Sequence, residues 1–278
     1  MRRFRQVDVF TQTAGFGNPV AVVLDGEGLT DDEMARFARW THLSETTFVL
    51  PVSRPEADYR VRIFSPTQEL PFAGHPTLGT CHALLEAGAI ESAETLTQEC
   101  QAGLIPLRAS PGGMRVFAAP PAKVSRPTEM LEAIGSQLGG IRVEDPLIVD
   151  VGPRWLTARL VEADDMERIE PDFRAIAAAT RAGGWTGLTV YAVSPQGGVE
   201  LRSFAPADGI DEDPVCGSGN AAVGHHLRAT GAERLTGERY EARQGRFLGR
   251  DGRIHVRIAD RVEVGGHCVS VIEGSVEI

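Results

Sequence analysis

The sequence predicts an α+β protein assembled from two related halves, and three observations carry that prediction. Strand-like stretches of alternating or β-branched residues are interleaved with stretches of helical period along the whole chain. The segment VRIFSPTQELPFAGHPTLGTCHALLEAGA, from Val61 to Ala89, has a counterpart in LRSFAPADGIDEDPVCGSGNAAVGHHLRATGA, from Leu201 to Ala232. Each runs apolar residue, Arg, any residue, Phe, small residue, Pro, an acidic loop, a small residue and Gly, then a helix ending at Gly-Ala. The two lie about half the chain apart, the signature of a duplication. Finally, the 278 residues are 42% hydrophobic and 24% charged, an ordinary globular composition with no low-complexity tract. Two domains of roughly 130 residues, or one large one, fit that length.

Taken in order, Val7–Phe10 and Val20–Leu24 read as strands around a loop holding Gly15, Gly17, Asn18 and Pro19. The G-x-G there is followed by proline and no helix, so it is weak evidence for a nucleotide site. Thr30 and Glu33 form a capping box for a helix through about Leu43, with Met34, Phe37, Ala38 and Trp40 near helical spacing. Glu45 then sits at a helix-to-strand junction before TTFVLP, and Tyr59–Phe64 alternates as a strand. A turn follows, then a helix from His75 to Ala87 closed by Gly88. Gly103–Leu107 and Gly113–Phe117 read as a hairpin, and the proline-rich stretch Ala118–Pro127 as a linker. The boundary expected from this is 1–118 for the first domain, completed by a C-terminal strand from about 265–278, and 119–264 for the second. The second half repeats the theme, with a helix near Asp172–Arg181, the strand TVYAVSP, and another glycine-rich turn into a helix.

Composition excludes several function classes. A formal net charge of −10 argues against nucleic acid or an anionic membrane as partner, since both need a cationic surface. MRRFRQVDVF passes straight into a strand pattern without a signal-peptide core, and no segment approaches 18 apolar residues. Cys81, Cys100, Cys216 and Cys268 are scattered with no C-x-x-C pair, which fits reduced thiols and a cytoplasmic setting. Metal ligation is poorly supported: His225 and His226 point about 100° apart on a helix, and no H-x-x-x-H pattern exists. A G-x-S-x-G elbow is also missing.

The duplicated turns carry the candidate chemistry. Ala73-Gly74-His75 falls opposite Cys216-Gly217-Ser218. A glycine-rich turn opening a helix presents backbone N–H groups at the positive end of the helix dipole, where carboxylates bind. Halves related by an approximate twofold axis would turn both toward a shared cleft, which reconciles an acidic protein with a small anionic carboxylic acid as ligand. Glu45, His75 and Asp213 are the titratable candidates, with Glu69 and Asp211 near. Proton transfer at carbon needs such a group in a poorly solvated pocket. Each also has a plain structural role open to it: Glu45 as a junction residue, His75 as a satisfied core histidine, Asp213 as an N-cap.

GNPVAVV near the start, LSETTFVLP around Glu45, FSPTQELPFAGHPTLGT around His75 and DEDPVCGSGN around Asp213 together resemble the phenazine-biosynthesis PhzF-like family, in order and through nearly the whole chain. The resemblance implies a diaminopimelate epimerase-like fold: two pseudo-symmetric domains, each a curved, mostly antiparallel sheet around a central helix, with the active site between them. It implies a cofactor- and metal-independent, proton-shifting isomerase, of the kind that acts on trans-2,3-dihydro-3-hydroxyanthranilate, and a homodimer. By motif position Glu45 matches the family's acid/base glutamate, His75 the histidine of its G-H-P turn and Asp213 the aspartate of its D-P-x-x-G-S turn. Gly74 and Ser218 match residues lining the same pocket, and Cys216, Gly217 and Asn18 join them as substrate-binding candidates.

The related epimerases carry a cysteine in each of two facing turns. Here Cys216 holds one such place and Ala73 the other, which rules out a symmetric two-thiol racemase. A one-thiol epimerase pairing Cys216 with Glu45 stays open, because a thiolate at a helix N-terminus would have a lowered pKa. So do Cys216 as a small buried hydrophobe and, from another class, a binding protein that has lost turnover.

Overall fold

The computed structural model describes residues 1–127 and 131–278, the side chains of 131–133 excepted. The chain divides into two compact units, Met1–Ala118 with Gly265–Ile278, and Ala119–Val264.

The first unit opens with β1 (Arg2–Val9) and β2 (Asn18–Val23), which pair antiparallel. Helix α1 (Asp31–Thr41) leads to β3 (Glu45–Leu50), laid parallel to β2 with Glu45 beside Val20. Next come β4 (Tyr59–Phe64), the short β5 (Glu69–Leu70) and helix α2 (Gly74–Glu86). β6 (Thr95–Cys100) pairs parallel with β4 and antiparallel with β7 (Gly103–Ala109), which pairs with β8 (Arg115–Ala118). In the second unit the short β9 (Lys123–Ser125) and helix α3 (Leu131–Gln137) precede β10 (Val143–Asp150), with β9 antiparallel to β10. β11 (Arg154–Leu160), helix α4 (Phe173–Gly183), β12 (Gly187–Val193), β13 (Val199–Ala205), β14 (Ile210–Asp213) and helix α5 (Gly217–Thr230) follow. β15 (Arg239–Gln244) and β16 (Gly252–Ile258) come next, and along β17 (Val262–Gly266) the chain passes back into the first unit. There β18 (Cys268–Val276) lies antiparallel to β1.

The duplication is written into the strand pairings. β1–β2 antiparallel, β2–β3 parallel, β3–β4 and β4–β5 antiparallel, then β4–β6 parallel, is the order of the first unit. β10–β11 antiparallel, β11–β12 parallel, β12–β13 and β13–β14 antiparallel, then β13–β15 parallel, is that of the second. A helix fills each parallel crossover, as such connections require. Arg62 and Arg202, the arginines of the repeat, each grip a glutamate with both Nε and Nη2: Glu69 in one unit, Glu212 in the other. Each guanidinium also lies over a phenylalanine two residues on, Phe64 at 5.0 Å and Phe204 at 5.1 Å from the ring centre. The repeated Arg-x-Phe thus ties the strand to the acidic loop that leads into the helix.

α2 is the central helix of its unit and is buried on nearly every side. Its small residues allow this: a Cβ on Gly79 would stand 2.4 Å from Val20 Cγ1 and 2.9 Å from Val9 Cγ2, so only glycine lets the helix approach β1 and β2 so closely. The polar positions it buries are satisfied, Thr80 by Thr47 at 2.9 Å and Thr77 by Gln98 at 2.9 Å. In the second unit Tyr191 and the Asp145 carbonyl bracket the buried His226 ring of α5, at 2.9 and 2.6 Å, fixing one neutral tautomer.

Several boundaries differ from the sequence reading. β1 begins at Arg2, not Val7, because Arg2, Arg3 and Arg5 lie on the strand with their charged ends paired to acids and carbonyls. α1 ends at Thr41, since His42 turns left-handed with φ 57°. The proline-rich stretch 118–127 contains β9, so part of it belongs to the sheet; the chain beyond it, 128–130, lies outside the described residues. No helix among the described residues is long and apolar enough to cross a membrane.

Candidate active site

In the first unit the site forms where β3 begins and α2 begins. Ala73 precedes α2 without a side-chain cap, so the first N–H groups of the helix, from Gly74 and His75, have no helical acceptor; Pro76 contributes none. Gly74 is held close under Phe117, where a Cβ would come within 2.8 Å of the ring. Phe72 meets Phe117 edge-on at 5.4 Å, giving this turn an apolar flank. From the helix start the His75 ring reaches Glu45: Nε2 lies 3.2 Å from Oε2, with side-chain exposures of 7% and 15%.

Burial pushes the His75 pKa down to about 3, against a hydrogen bond to the Pro19 carbonyl that would raise it. The ring is therefore neutral at physiological pH. A neutral imidazole has one N–H, and the Pro19 carbonyl takes it, so the Nε2 lone pair faces Glu45. Asn18, fully buried at the start of β2 and next to Pro19, belongs to the same corner.

In the second unit the turn Asp213–Cys216 leads into α5. The Asp213 carboxylate accepts the Val215 N–H at 3.0 Å, and Cys216 is the N-cap, its Sγ accepting the Gly219 N–H at 3.2 Å. Asp213 is thus not the N-cap. The Ser218 hydroxyl, 3.4 Å from Cys216 Sγ, accepts the Trp155 indole N–H at 3.0 Å, which leaves its own proton to donate. Burial raises the Asp213 pKa to about 6, opposed by hydrogen bonds from Cys216 and the Val215 amide. Burial, with the Asp213 charge adding to it, holds the Cys216 thiol well above its ordinary range.

That last finding weighs against the activated thiolate that the sequence left open at this helix N-terminus. The dipole's help is outweighed by loss of solvent and by a neighbouring carboxylate, so Cys216 stands as a protonated thiol that donates to Asp213. Nor is it only a buried hydrophobe, since it caps a helix. Sequence reasoning missed Trp155, Gln244 and the Phe72–Phe117 pair. Asn220 stood visible in GSGN, but its partner Gln244 lies 24 residues away with no local signal. Among the described residues no three His, Cys, Asp or Glu side chains are grouped to hold a metal ion.

Comparison with known proteins decides the family: residues 7–274 match the one described as phenazine biosynthesis-like protein, PhzC-PhzF. The chain belongs to the PhzF family. It is 33% identical to a trans-2,3-dihydro-3-hydroxyanthranilate isomerase of Pseudomonas aeruginosa, over 99% of both chains. It is also 36% identical to a Schizosaccharomyces pombe protein named antisense-enhancing sequence 1, over 98% of this chain and 97% of that one. A solved PhzF-family structure from Bacillus anthracis superposes with a TM-score of 0.85 at 26% identity, covering 100% of this chain and 99% of that one. PhzF-family membership agrees with the α+β architecture and makes this protein an isomerase by kin, while these two named relatives do not agree on a role.

Proposed function

We propose that this protein is an isomerase that moves a proton between two carbons of a small unsaturated amino- or hydroxy-carboxylic acid without cofactor or metal, as in relatives named trans-2,3-dihydro-3-hydroxyanthranilate isomerase. The observation that carries this reading is the contact of Glu45 with a neutral His75 at the start of a buried helix. Glu45 as carboxylate removes a carbon-bound proton; the C–H electron pair enters the conjugated system, and no oxidant is needed. The new O–H of Glu45 is held by the His75 Nε2 lone pair and then returned to a different carbon, which shifts the double bond. Because burial disfavours the imidazolium, His75 accepts that hydrogen bond without taking the proton in transit.

Asp213, with its pKa near 6, orients the substrate amine or hydroxyl, and Ser218 turns its hydroxyl proton from Cys216 Sγ to a substrate acceptor. The helix-start amides suit a carboxylate in each unit, that of Gly74 beside Asn18 in the first and that of Gly217 beside Cys216 in the second. The one-thiol epimerase reading loses its support, because a thiol held protonated is a poor base. Incubation with trans-2,3-dihydro-3-hydroxyanthranilate in heavy water tests the proposal. Deuterium should appear at a carbon of the rearranged product, at a rate cut at least about a thousandfold in Glu45→Gln, near the upper range for general-base loss. Deuterium only at an α-carbon, lost in Cys216→Ser, would favour the epimerase.

A further inference from the structure

We propose that Gln244 is a positioning residue for Asp213, its side-chain amide tying both ends of the turn that carries the aspartate to β15. The inference rests on the reading of Asp213 as part of the isomerase machinery. Gln244 ends β15, where it sits beside Leu201 of β13 and Gly252 of β16 and is fully buried. Its Nε2 donates to the Asp213 carbonyl at 3.0 Å. Its Oε1 accepts two N–H groups, from the Cys216 backbone at 2.9 Å and from Asn220 Nδ2 at 3.0 Å. Asn220, also fully buried, spans back to the Cys216 carbonyl at 2.8 Å. One planar amide thus fixes the residue before the turn's proline and the residue that caps α5. The backbone of Asp213 is thereby anchored, and a hydrogen bond from Val215 within the same turn holds the carboxylate itself.

A fold requirement would be met in both halves of the duplication, and it is not. Arg62 matches Arg202, so Tyr59 matches Val199; Tyr59 pairs with Gln98 and Val199 with Ala242, which makes Cys100 the counterpart of Gln244. Thr77 stands where Asn220 stands, bound to Gln98 instead. The first unit builds the same strand order and the same helix with its buried glutamine two residues earlier on the strand, bound to the helix at Thr77 rather than to the turn. It also has no aspartate to aim, Leu70 standing where Asp213 stands. The titratable groups acting on Asp213 are Cys216, whose thiol donates to it, and Glu212, held in its ion pair with Arg202. Gln244 is neutral, so it sets where Asp213 points and how dry it is, without adding charge.

The test uses the full chain and two variants, with the Asp213 side-chain carboxyl followed by carbon NMR across pH and steady-state turnover of trans-2,3-dihydro-3-hydroxyanthranilate measured alongside. Gln244→Met removes all three bonds and should shift the Asp213 midpoint by at least about half a pH unit, lowering kcat roughly 10- to 100-fold with KM within about threefold. Gln244→Glu is isosteric, keeps the acceptor and places a charge by the turn; it should raise the midpoint by a similar amount or more, and it serves if the methionine variant does not fold. In Asp213→Asn, adding Gln244→Glu should cost little further kcat. Wild-type midpoint and kcat in a folded variant overturn the inference. A shifted midpoint in a protein that turns over no such acid in any form would keep the positioning role and sink the isomerase reading instead.

Discussion

At the scale of single residues, the site rests on two groups held away from their ordinary protonation. His75 is neutral in the folded protein down to about pH 3, whereas in the unfolded chain it protonates below about 6.5. Between those values the unfolded state binds the extra proton, so stability falls as pH drops from 6.5 toward 3, by at most about 1.4 kcal/mol per unit. His75→Gln should flatten that limb of the urea midpoint against pH. Asp213 acts with the opposite sign: the folded protein keeps its proton to about pH 6 and the unfolded chain loses it near 3.8, so stability falls as pH rises through that window. Carbon NMR of the Asp213 carboxyl should show a midpoint near 6; a midpoint near 3.8 would remove the burial argument. His75 and Asp213 are marked in the sequence by glycine-rich turns, and Glu45 by a helix-to-strand junction. Gln244 is not, since hydrogen bonds that close over 28 and 31 residues leave no trace in local spacing.

Among the elements, the buried helices and the arginine ties do the positioning. Gly79→Ala should cost about 2–3 kcal/mol, measured by chemical denaturation, because its Cβ meets two core valines on different strands. The two copies of the arginine tie should differ in strength. Arg202 and Glu212 are 8% and 5% exposed, and breaking that pair by Arg202→Ala should cost about 3–5 kcal/mol. Arg62 and Glu69 are 21% and 30% exposed, and Arg62→Ala should cost about 1 kcal/mol. Equal losses at the two sites would show that burial is not what separates them. The capping box of α1 was readable locally and is present; α4, expected near Asp172–Arg181, runs Phe173–Gly183 with Asp172 as its N-cap. β9 and the first half of β1 were hidden, the one by prolines around it and the other by arginines whose charges find partners only in the folded chain.

For the molecule as a whole, the duplication is the organising fact. It was visible as a sequence repeat, and the matched pairing order of the two units shows that the repeat extends well beyond the quoted segments. The asymmetry within it was less legible. One copy kept a carboxylate and histidine and the other an aspartate and a capped thiol, a division that only side-chain geometry and burial make chemical sense of. The homodimer that family resemblance implies should appear in solution at about 60 kDa, twice the chain's 29.9 kDa, by sedimentation or light scattering. A species at the single-chain mass would contradict it.

The most direct measurement is proton exchange at carbon by a folded Glu45→Gln protein beside the wild type, in heavy water with trans-2,3-dihydro-3-hydroxyanthranilate. Deuterium entering the rearranged product with wild type, and no detectable exchange with the glutamine variant, is the predicted result. Undiminished exchange without the residue-45 carboxylate would show that the proton travels by another group.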